Sequence, residues 1–437
     1  MRPALPLVAL HFAWARYRWA TLRGPALARF QARRARRIVA YARRHSSFYR
    51  AHWAGYRDGD WRALPTVDKQ LMMERFDDFN TRGISREAAM ELAIAGEGSR
   101  DFGPRLHGYT VGLSSGTSGH RGLFVAGPTE QAAWAGTILA RTIHGLPRRR
   151  LRVAFFLRSN SNLYEQVGGL LIKFRYFDLM LPLDDAIRAL NAFQPHIVVA
   201  PPGLLAMLAE ARGRLRIRPE RLISVAEVLE PQVRAALVAA FDVPIHQIYQ
   251  ATEGLLAVSC ARGSLHIQED LVALQFDPLP GGEGRVTPIV TDLWRTTQPI
   301  IRYRLNDVLL LGSDRCACGS PWRVVEAIEG RCDDICYFEQ RGGGERPFFA
   351  DTIRRMLLQA STEIEDYQVV QSSRGELRVH LQIRPGASLD VVAAAVRASV
   401  AATIESYGCR LESLAVEPTL PLLAPGAKRR RVMRAWR

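Results

Sequence analysis

Three groups of residues in this 437-residue chain have types and spacings suited to chemistry. The first is Tyr109–Gly122. Glycines at 112, 116, 119 and 122 alternate there with the hydroxyl residues Ser114, Ser115, Thr117 and Ser118. Glycine lets backbone N–H groups approach a ligand closely, and the hydroxyls add donors, so the loop suits a polyphosphate. It is not a Walker loop, because no Gly-Lys-Ser/Thr follows at the required spacing. Taken alone, a flexible surface turn is the plainer reading. The second group is Tyr249-Gln-Ala-Thr-Glu253. Its ring could stack on a base, its hydroxyl could reach a phosphate, and Glu253 could hold Mg²⁺. Further on, Ile301–Asp307 ends with an acid placed to accept from ribose hydroxyls. Gly330-Arg-Cys-Asp-Asp-Ile335 follows, and Gly426–Val432 lies near the end of the chain.

The third group is sulfur-rich. Cys316 and Cys318 bracket one alanine in a turn, and Cys260 precedes His266 by six residues. Three thiolates and an imidazole suit tetrahedral Zn²⁺ in a structural role. The alternative is that Cys260 is a small buried hydrophobe and the pair a bare turn. Cys332 and Cys336 flank the segment at 333, where a second metal is the minor reading. No base adjoins any cysteine, which disfavours a cysteine nucleophile.

The elements that must position these residues follow from periodicity. Arg152–Leu157, Ile197–Ala200, Leu222–Val225 and Ile245–Tyr249 read as buried strands. Asp184–Phe193, Gly203–Arg212 and Glu230–Phe241 read as helices. The alternation implies an α/β fold: a large N-terminal domain of mostly parallel sheet with helices. Residues 264–310 read as a β-rich subdomain with Gly/Pro turns. After 335 a small α+β domain is expected, with helices near 350–360 and 388–406 and strands near 366–372 and 376–383. The expected division is a core over 1–332, whose residues 1–60 are helical, and a small domain over 333–437. Residues 25–45 read as an amphipathic helix laid on the core with its arginines outward.

Composition bounds the function. Basic side chains number 59 and acidic ones 43, and only Lys69, Lys173 and Lys428 are lysines. Residues 1–50 hold twelve arginines and no acid, and residues 428–437 hold Lys428 and five arginines. Between these ends 41 basic side chains face 43 acidic ones. The basic character therefore belongs to the ends, which argues against a nucleic-acid partner. Attachment of the Arg-rich N-terminal helix to an anionic membrane surface is the second reading of that segment. No transmembrane run or convincing signal peptide is present, so a cytoplasmic location is expected. A lysine kept among Arg429, Arg430 and Arg431 suggests that a compact, flexible charge is needed at 428. Lys69 and Lys173 read as structural or surface residues.

The ordered set of motifs resembles the adenylate-forming superfamily of acyl-CoA synthetases, and most closely its phenylacetate–CoA ligase-like branch. Ser114-Ser115-Gly116-Thr117-Ser118-Gly119, extended to Gly122, is similar to the phosphate loop, with His120-Arg121 where many members carry a Lys-containing pair. Ala226-Glu227 is similar to the adenine-side motif, and Tyr249–Glu253 to the Tyr-x-x-Thr-Glu signature. Asp307 matches the ribose-binding aspartate, Arg331 the arginine that follows, Asp333 the hinge and Lys428 the catalytic lysine. Arg37–Tyr49 and Leu64–Lys69 extend the resemblance over nearly the whole chain. It implies a small hinged C-terminal domain and ATP- and Mg²⁺-dependent activation of a carboxylic acid, aromatic or related, as an acyl-adenylate. Thr252, Glu253 and Lys428 would be catalytic, and the acyl group would pass to a thiol of CoA or a carrier protein. Phe155–Tyr164 and His196–Pro202 fall where the branch places acyl-side segments, or else are core and loop. The alternatives are an adenylate-forming amide ligase and a non-catalytic nucleotide-binding or zinc-stabilised interaction module.

Overall fold

The structure is a computed structural model and describes residues 5–114, 121–143, 149–157, 172–312, 316–421 and 430–436. The chain divides into two compact units. The larger takes Met1–Phe276, Pro288–Leu305 and Leu311–Glu326; the smaller takes Asp277–Thr287, Asn306–Leu310 and Ala327–Arg437.

The larger unit begins with helices α1 (Leu5–Thr21), α2 (Gly24–His45), α3 (Ser47–His52), α4 (Lys69–Glu74) and α5 (Arg86–Ser99). Strands β1 (Thr110–Leu113) and β2 (Leu123–Ala126) form an antiparallel hairpin, followed by α6 (Pro128–Thr142). The alternating region supplies β3 (Leu151–Leu157), β4 (Ile172–Asp178), α7 (Leu183–Phe193), β5 (Ile197–Ala200) and α8 (Pro202–Glu210). It continues with β6 (Arg221–Val225), α9 (Pro231–Phe241) and β7 (Ile245–Ala251). Strands β4, β3, β5, β6 and β7 pair in that order, all parallel. Their apolar runs are continuous because helices cover the sheet. Leu190, Phe193, Leu205 and Leu237 from α7, α8 and α9 close over Phe156, Val198 and Leu222 of the strands. The sheet then turns antiparallel through β8 (Gly254–Ser259) and β9 (Leu265–Ile267).

Helix α1 lies against α6. A side chain at Gly136 would come within 2.5 Å of the Val8 carbonyl and 2.7 Å of His11 Cβ, so the close approach requires glycine there. Arg18 of α1 and Arg141 of α6 both reach the buried Asp270 carboxylate, at 2.7 and 2.8 Å. The arginines of this end are thus not uniformly outward. Arg18 is buried, and Arg34 of α2 donates to the Leu293 carbonyl at 2.8 Å with its guanidinium 3.7 Å from the Trp294 ring centre. Guanidinium groups tolerate such places because they pair bidentately and stack on aromatic faces.

Strands β10 (Val272–Pro278), β11 (Arg285–Asp292), β12 (Tyr303–Arg304), β13 (Asp307–Leu311) and β14 (Val324–Arg331) complete the β-rich region. The smaller unit adds β15 (Cys336–Glu339), β16 (Glu345–Phe348), α10 (Ala350–Ala360), β17 (Ile364–Ser373), β18 (Glu376–Ile383), α11 (Leu389–Ser406), β19 (Ser413–Glu417) and β20 (Val432–Arg434). Its four-stranded sheet runs β19-β18-β17-β20. Val369, Val379 and Leu381 of that sheet pack on Met356 and Leu357 of α10 and Val396 and Val400 of α11. All six cysteines are unbridged. Among the described residues no helix is long and apolar enough to cross a membrane.

Candidate functional site

The register of β6 with β7 pairs Val225 with Ile248, so Ala226, just beyond the carboxyl end of β6, stands level with Tyr249 near the carboxyl end of the adjoining parallel strand β7. Open α/β sheets bind ligands at such ends. Ala226 has φ of 69°, a left-handed conformation rare outside glycine, and backbone strain of this kind gathers at functional positions. Ala226 and Glu227 are exposed and Tyr249 and Thr252 half-buried. Glu253 is buried, and its Oε2 accepts from Thr252 Oγ1 at 2.9 Å.

A buried scaffold stands behind this segment. The Arg295 guanidinium donates to the Thr252 carbonyl and, at 2.9 Å, to Gln298 Oε1. Gln298 Oε1 also accepts from the Val125 amide at 2.9 Å, tying the segment to β2. Asp292 Oδ1 accepts from the Trp294 and Arg295 amides at 2.7 and 2.8 Å. Burial pushes the Asp292 carboxyl above the usual carboxylate range, against the opposing Arg295 charge and these two amides. Burial raises the Tyr303 phenol in the same way, and the nearby Glu253 carboxylate adds to the rise. Sequence reasoning did not single out Asp292 or Arg295, which belong to no short motif, and it gave no role to Tyr303 within Ile301–Asp307.

The Gly/Ser/Thr loop is the connection of the β1–β2 hairpin. Ser115, Gly116, Thr117, Ser118, Gly119 and His120 lie outside the described residues. The two ends of the loop are pinned: the Ser114 amide donates to the Gly122 carbonyl and the Gly122 amide to Ser114 Oγ, both at 2.7 Å. A Cβ at Gly122 would lie 3.2 Å from Lys69 Cε, so Lys69 runs along the exit of the loop. Lysine scarcity, which drew attention to Lys428, could have flagged Lys69 equally. Arg121 is held away by Glu97 of α5, donating to Oε2 at 2.7 Å. The acyl-side segments divide. Phe155 and Phe156 are buried core, His196 Nδ1 accepts from the Arg152 amide at 2.9 Å, and residues 158–164 lie outside the described set.

The smaller unit brings two of its motifs together. Arg331 Nε lies 3.8 Å from Asp307 Oδ1, Asn306 Nδ2 donates to Asp333 Oδ2 at 2.6 Å, and the Cys332 amide donates to the Asn306 carbonyl at 2.9 Å. Asp334 accepts from the Arg331 amide at 3.1 Å and from Arg430 Nε at 2.8 Å. Burial holds the Asp334 carboxyl above its ordinary range despite the Arg430 charge. Lys428 lies outside the described residues.

The cysteine cluster is brought together in the larger unit. The donor atoms of Cys260, His266, Cys316 and Cys318 all lie within 4.8 Å of one another. The Cys260 and Cys316 sulfurs are 3.7 Å apart, and Cys318 Sγ is 3.4 Å from His266 Nε2. Tetrahedral zinc with ordinary bond lengths separates two sulfurs by roughly 3.8 Å and a sulfur from a nitrogen by roughly 3.5 Å. The Arg262, Cys318 and Ser320 amides donate to the three sulfurs at 3.4 Å each. His266 Nδ1 meets the Trp322 carbonyl at 2.9 Å, which leaves Nε2 as the ligand atom. Burial raises the Cys318 thiol to about 12, with the Cys316 and Cys260 sulfurs adding to the rise. Burial acts likewise on Cys316, but hydrogen bonds from Ser264, the Cys318 amide and His266 outweigh it and bring the thiol to about 6. A zinc ion fits the donors and spacing of this set.

No family model matches the sequence. A phenylacetate–coenzyme A ligase of Thermus thermophilus is 26% identical over 208 residues, which are 44% of this chain and 45% of the relative. The match thus spans under half of that relative's length. Among solved structures, a 2-hydroxyisobutyryl-CoA ligase in complex with an acyl-AMP superposes with a TM-score of 0.69 at 19% identity, covering 92% of this chain and 88% of that one. An amide bond synthetase from Marinactinospora thermotolerans gives 0.53 at 15% identity, covering 74% and 68%.

Proposed function

Because this chain has the fold of the adenylate-forming ligases and resembles their phenylacetate–CoA ligase branch, we propose that it activates a carboxylic acid with ATP and transfers the acyl group to a thiol. The observation that carries this reading is the placement of Ala226, just past the end of β6, level with Tyr249, where the Tyr249–Glu253 segment begins near the carboxyl end of β7. In it, the Tyr249 ring stacks on the base, the Thr252 hydroxyl binds phosphate, and Asp307 with Arg331 binds the ribose. Ser114–Gly119 and Lys69 take the terminal phosphates. Lys428 neutralises charge on the α-phosphate as pyrophosphate leaves. Glu253 would hold Mg²⁺, which supplies further positive charge to the phosphates. Asp333 serves as the hinge. Activation then rests on positioning and electrostatics, as in other displacements at phosphorus. Cys260, His266, Cys316 and Cys318 would hold a zinc ion that supplies structural cross-linking, since four protein donors leave no open position. CoA is the thiol the fold relatives favour, with a carrier-protein thiol as the next acceptor. A cytoplasmic location follows from the supply of ATP and CoA.

Pyrophosphate release with a panel of aryl and short hydroxylated carboxylic acids tests the reading, run with and without CoA. Acid-dependent pyrophosphate, and a thioester only when CoA is present, are expected. If no acid in the panel gives pyrophosphate, the enzyme reading is lost. Release that yields an amide with added amines but no thioester would favour the amide ligase.

A further inference from the structure

Helix α2 buries Gln31, Ala35, Ile38, Val39 and Ala42 and turns Arg29, Arg33, Arg36, Arg37 and Arg44 to solvent. Helical spacing lines these arginines up along one side. None of them makes an ion pair among the described residues. Some exposed arginines elsewhere do: Arg75 pairs with Asp78, Arg188 with Asp185 and Arg214 with Asp184. The difference has a simple cause, since residues 1–50 contain no acid. Helix α1 exposes a second kind of stripe. Leu10, Trp14 and Tyr17 recur at helical spacing and are 54%, 54% and 67% exposed, opposite the buried Val8 and Ala15. The two helices meet over one ring: Arg18 of α1 lies 5.0 Å and Arg34 of α2 3.7 Å from the Trp294 ring centre. Arg18 also lies 5.9 Å over Trp14 itself. Both helices that carry these stripes thus flank the Trp294 ring of the larger unit.

We propose that α1 and α2 form a docking face for a bilayer surface rich in anionic phospholipid. Tryptophan and tyrosine settle at the headgroup level, where one part of the ring is apolar and the other wet. Leu10 enters the acyl boundary beside them. The arginines of α2 fork onto lipid phosphates, which supplies the charge the chain itself withholds. Other occupants fit less well. Duplex nucleic acid offers phosphates but no apolar layer for Leu10, Trp14 and Tyr17. A second copy of this chain would set one unpaired arginine row against another. The proposal rests on this surface and is independent of the ligase reading.

Flotation of the full chain with vesicles tests it. Neutral phosphatidylcholine vesicles are compared with vesicles containing phosphatidylglycerol, at low and physiological salt. Binding to the anionic vesicles alone, weakened by salt, is expected. Arg33→Gln with Arg37→Gln should weaken it about thirty-fold. Leu10→Ser with Trp14→Ser should weaken it at least as much, with circular dichroism unchanged because both positions are exposed. Equal binding to both vesicle types overturns the proposal, as does binding to neither. So does binding of duplex DNA without vesicle binding, or a dimer that the Leu10/Trp14 variant dissolves while vesicles remain unbound.

Discussion

Strand β8 has a different chemistry at each end. Glu253 precedes it and Cys260 follows it. At the Cys260 end every donor atom is engaged. Each sulfur takes a backbone N–H, the His266 ring is fixed by the Trp322 carbonyl, and the four ligand atoms lie within 4.8 Å of one another. At the Glu253 end Arg295 and Gln298 brace the segment from behind while its front is not closed. Thr252 is half-buried, Ala226 beside Tyr249 is exposed, and Ala226 is held in a left-handed conformation. A closed donor set holds a fold together, whereas polar groups left reachable at strand ends serve a ligand that comes and goes. On the proposed function, the six residues of β8 separate a stabilising centre from a reactive one.

The comparison breaks if the two ends exchange roles. The largest expected effects are on catalysis. Lys428→Ala and Glu253→Gln should each lower acid-dependent pyrophosphate release by about 10²–10³-fold, the range for removing one preorganised electrostatic contact. Neither should move Tm appreciably. An unaltered rate in either variant would take that residue out of the mechanism. The next effect is on stability. Cys316→Ser or Cys318→Ser should abolish stoichiometric zinc and cost about 4 kcal/mol, as loss of a metal clamp does. The rate per folded molecule should persist below the new melting transition. If zinc removal abolishes pyrophosphate release while near-ultraviolet circular dichroism is retained, the Cys260 end is not merely structural.

Much of this division is legible in the sequence, for different reasons at each end. The strands and helices of the α/β region follow from apolar periodicity that burial on a covered sheet enforces, as Ile197–Ala200 and Leu183–Phe193 illustrate. The cysteine set is legible because ligand type and turn spacing are local. Tyr249–Glu253 is legible as a five-residue motif. What supports it is not, because Arg295, Gln298 and Tyr303 act through contacts about 40 to 170 residues away in the chain. The burial of Arg18 and Arg141 is not legible for the same reason. Their shared partner Asp270 is 252 and 129 residues away, and no periodicity announces a buried ion triad.

Two smaller effects sharpen the contrast. Trp19 of α1 meets Trp322 edge-on at 4.5 Å and the His266 ring at 5.5 Å, so the Cys260 end of β8 also secures α1. Trp19→Ala should cost about 2 kcal/mol from lost packing and aromatic contact. It should also speed zinc loss to a chelator, while leaving pyrophosphate release per folded molecule intact. A chelation rate equal to wild type would separate the helix from the cluster.

The smallest effect lies at the other end and depends on pH. The native Asp292 carboxyl is raised by burial, so the folded state binds its proton more tightly than the unfolded chain does. Its contribution to stability is therefore greatest below the ordinary carboxylate range near 4 and is lost as pH rises through the native value. Asp292→Asn keeps an oxygen able to accept from the Trp294 and Arg295 amides and removes the titration. The variant's stability, followed by urea unfolding across that window, should fall less with rising pH than wild type. The two slopes should differ by at most about 1.4 kcal/mol per pH unit. Parallel curves would mean that the charge on Asp292 is compensated by Arg295, whose guanidinium also binds the Thr252 carbonyl. The scaffold behind Thr252 would then be held by a fully formed ion pair, and the reactive end of β8 would be as electrostatically closed at its back as the cysteine end is all round.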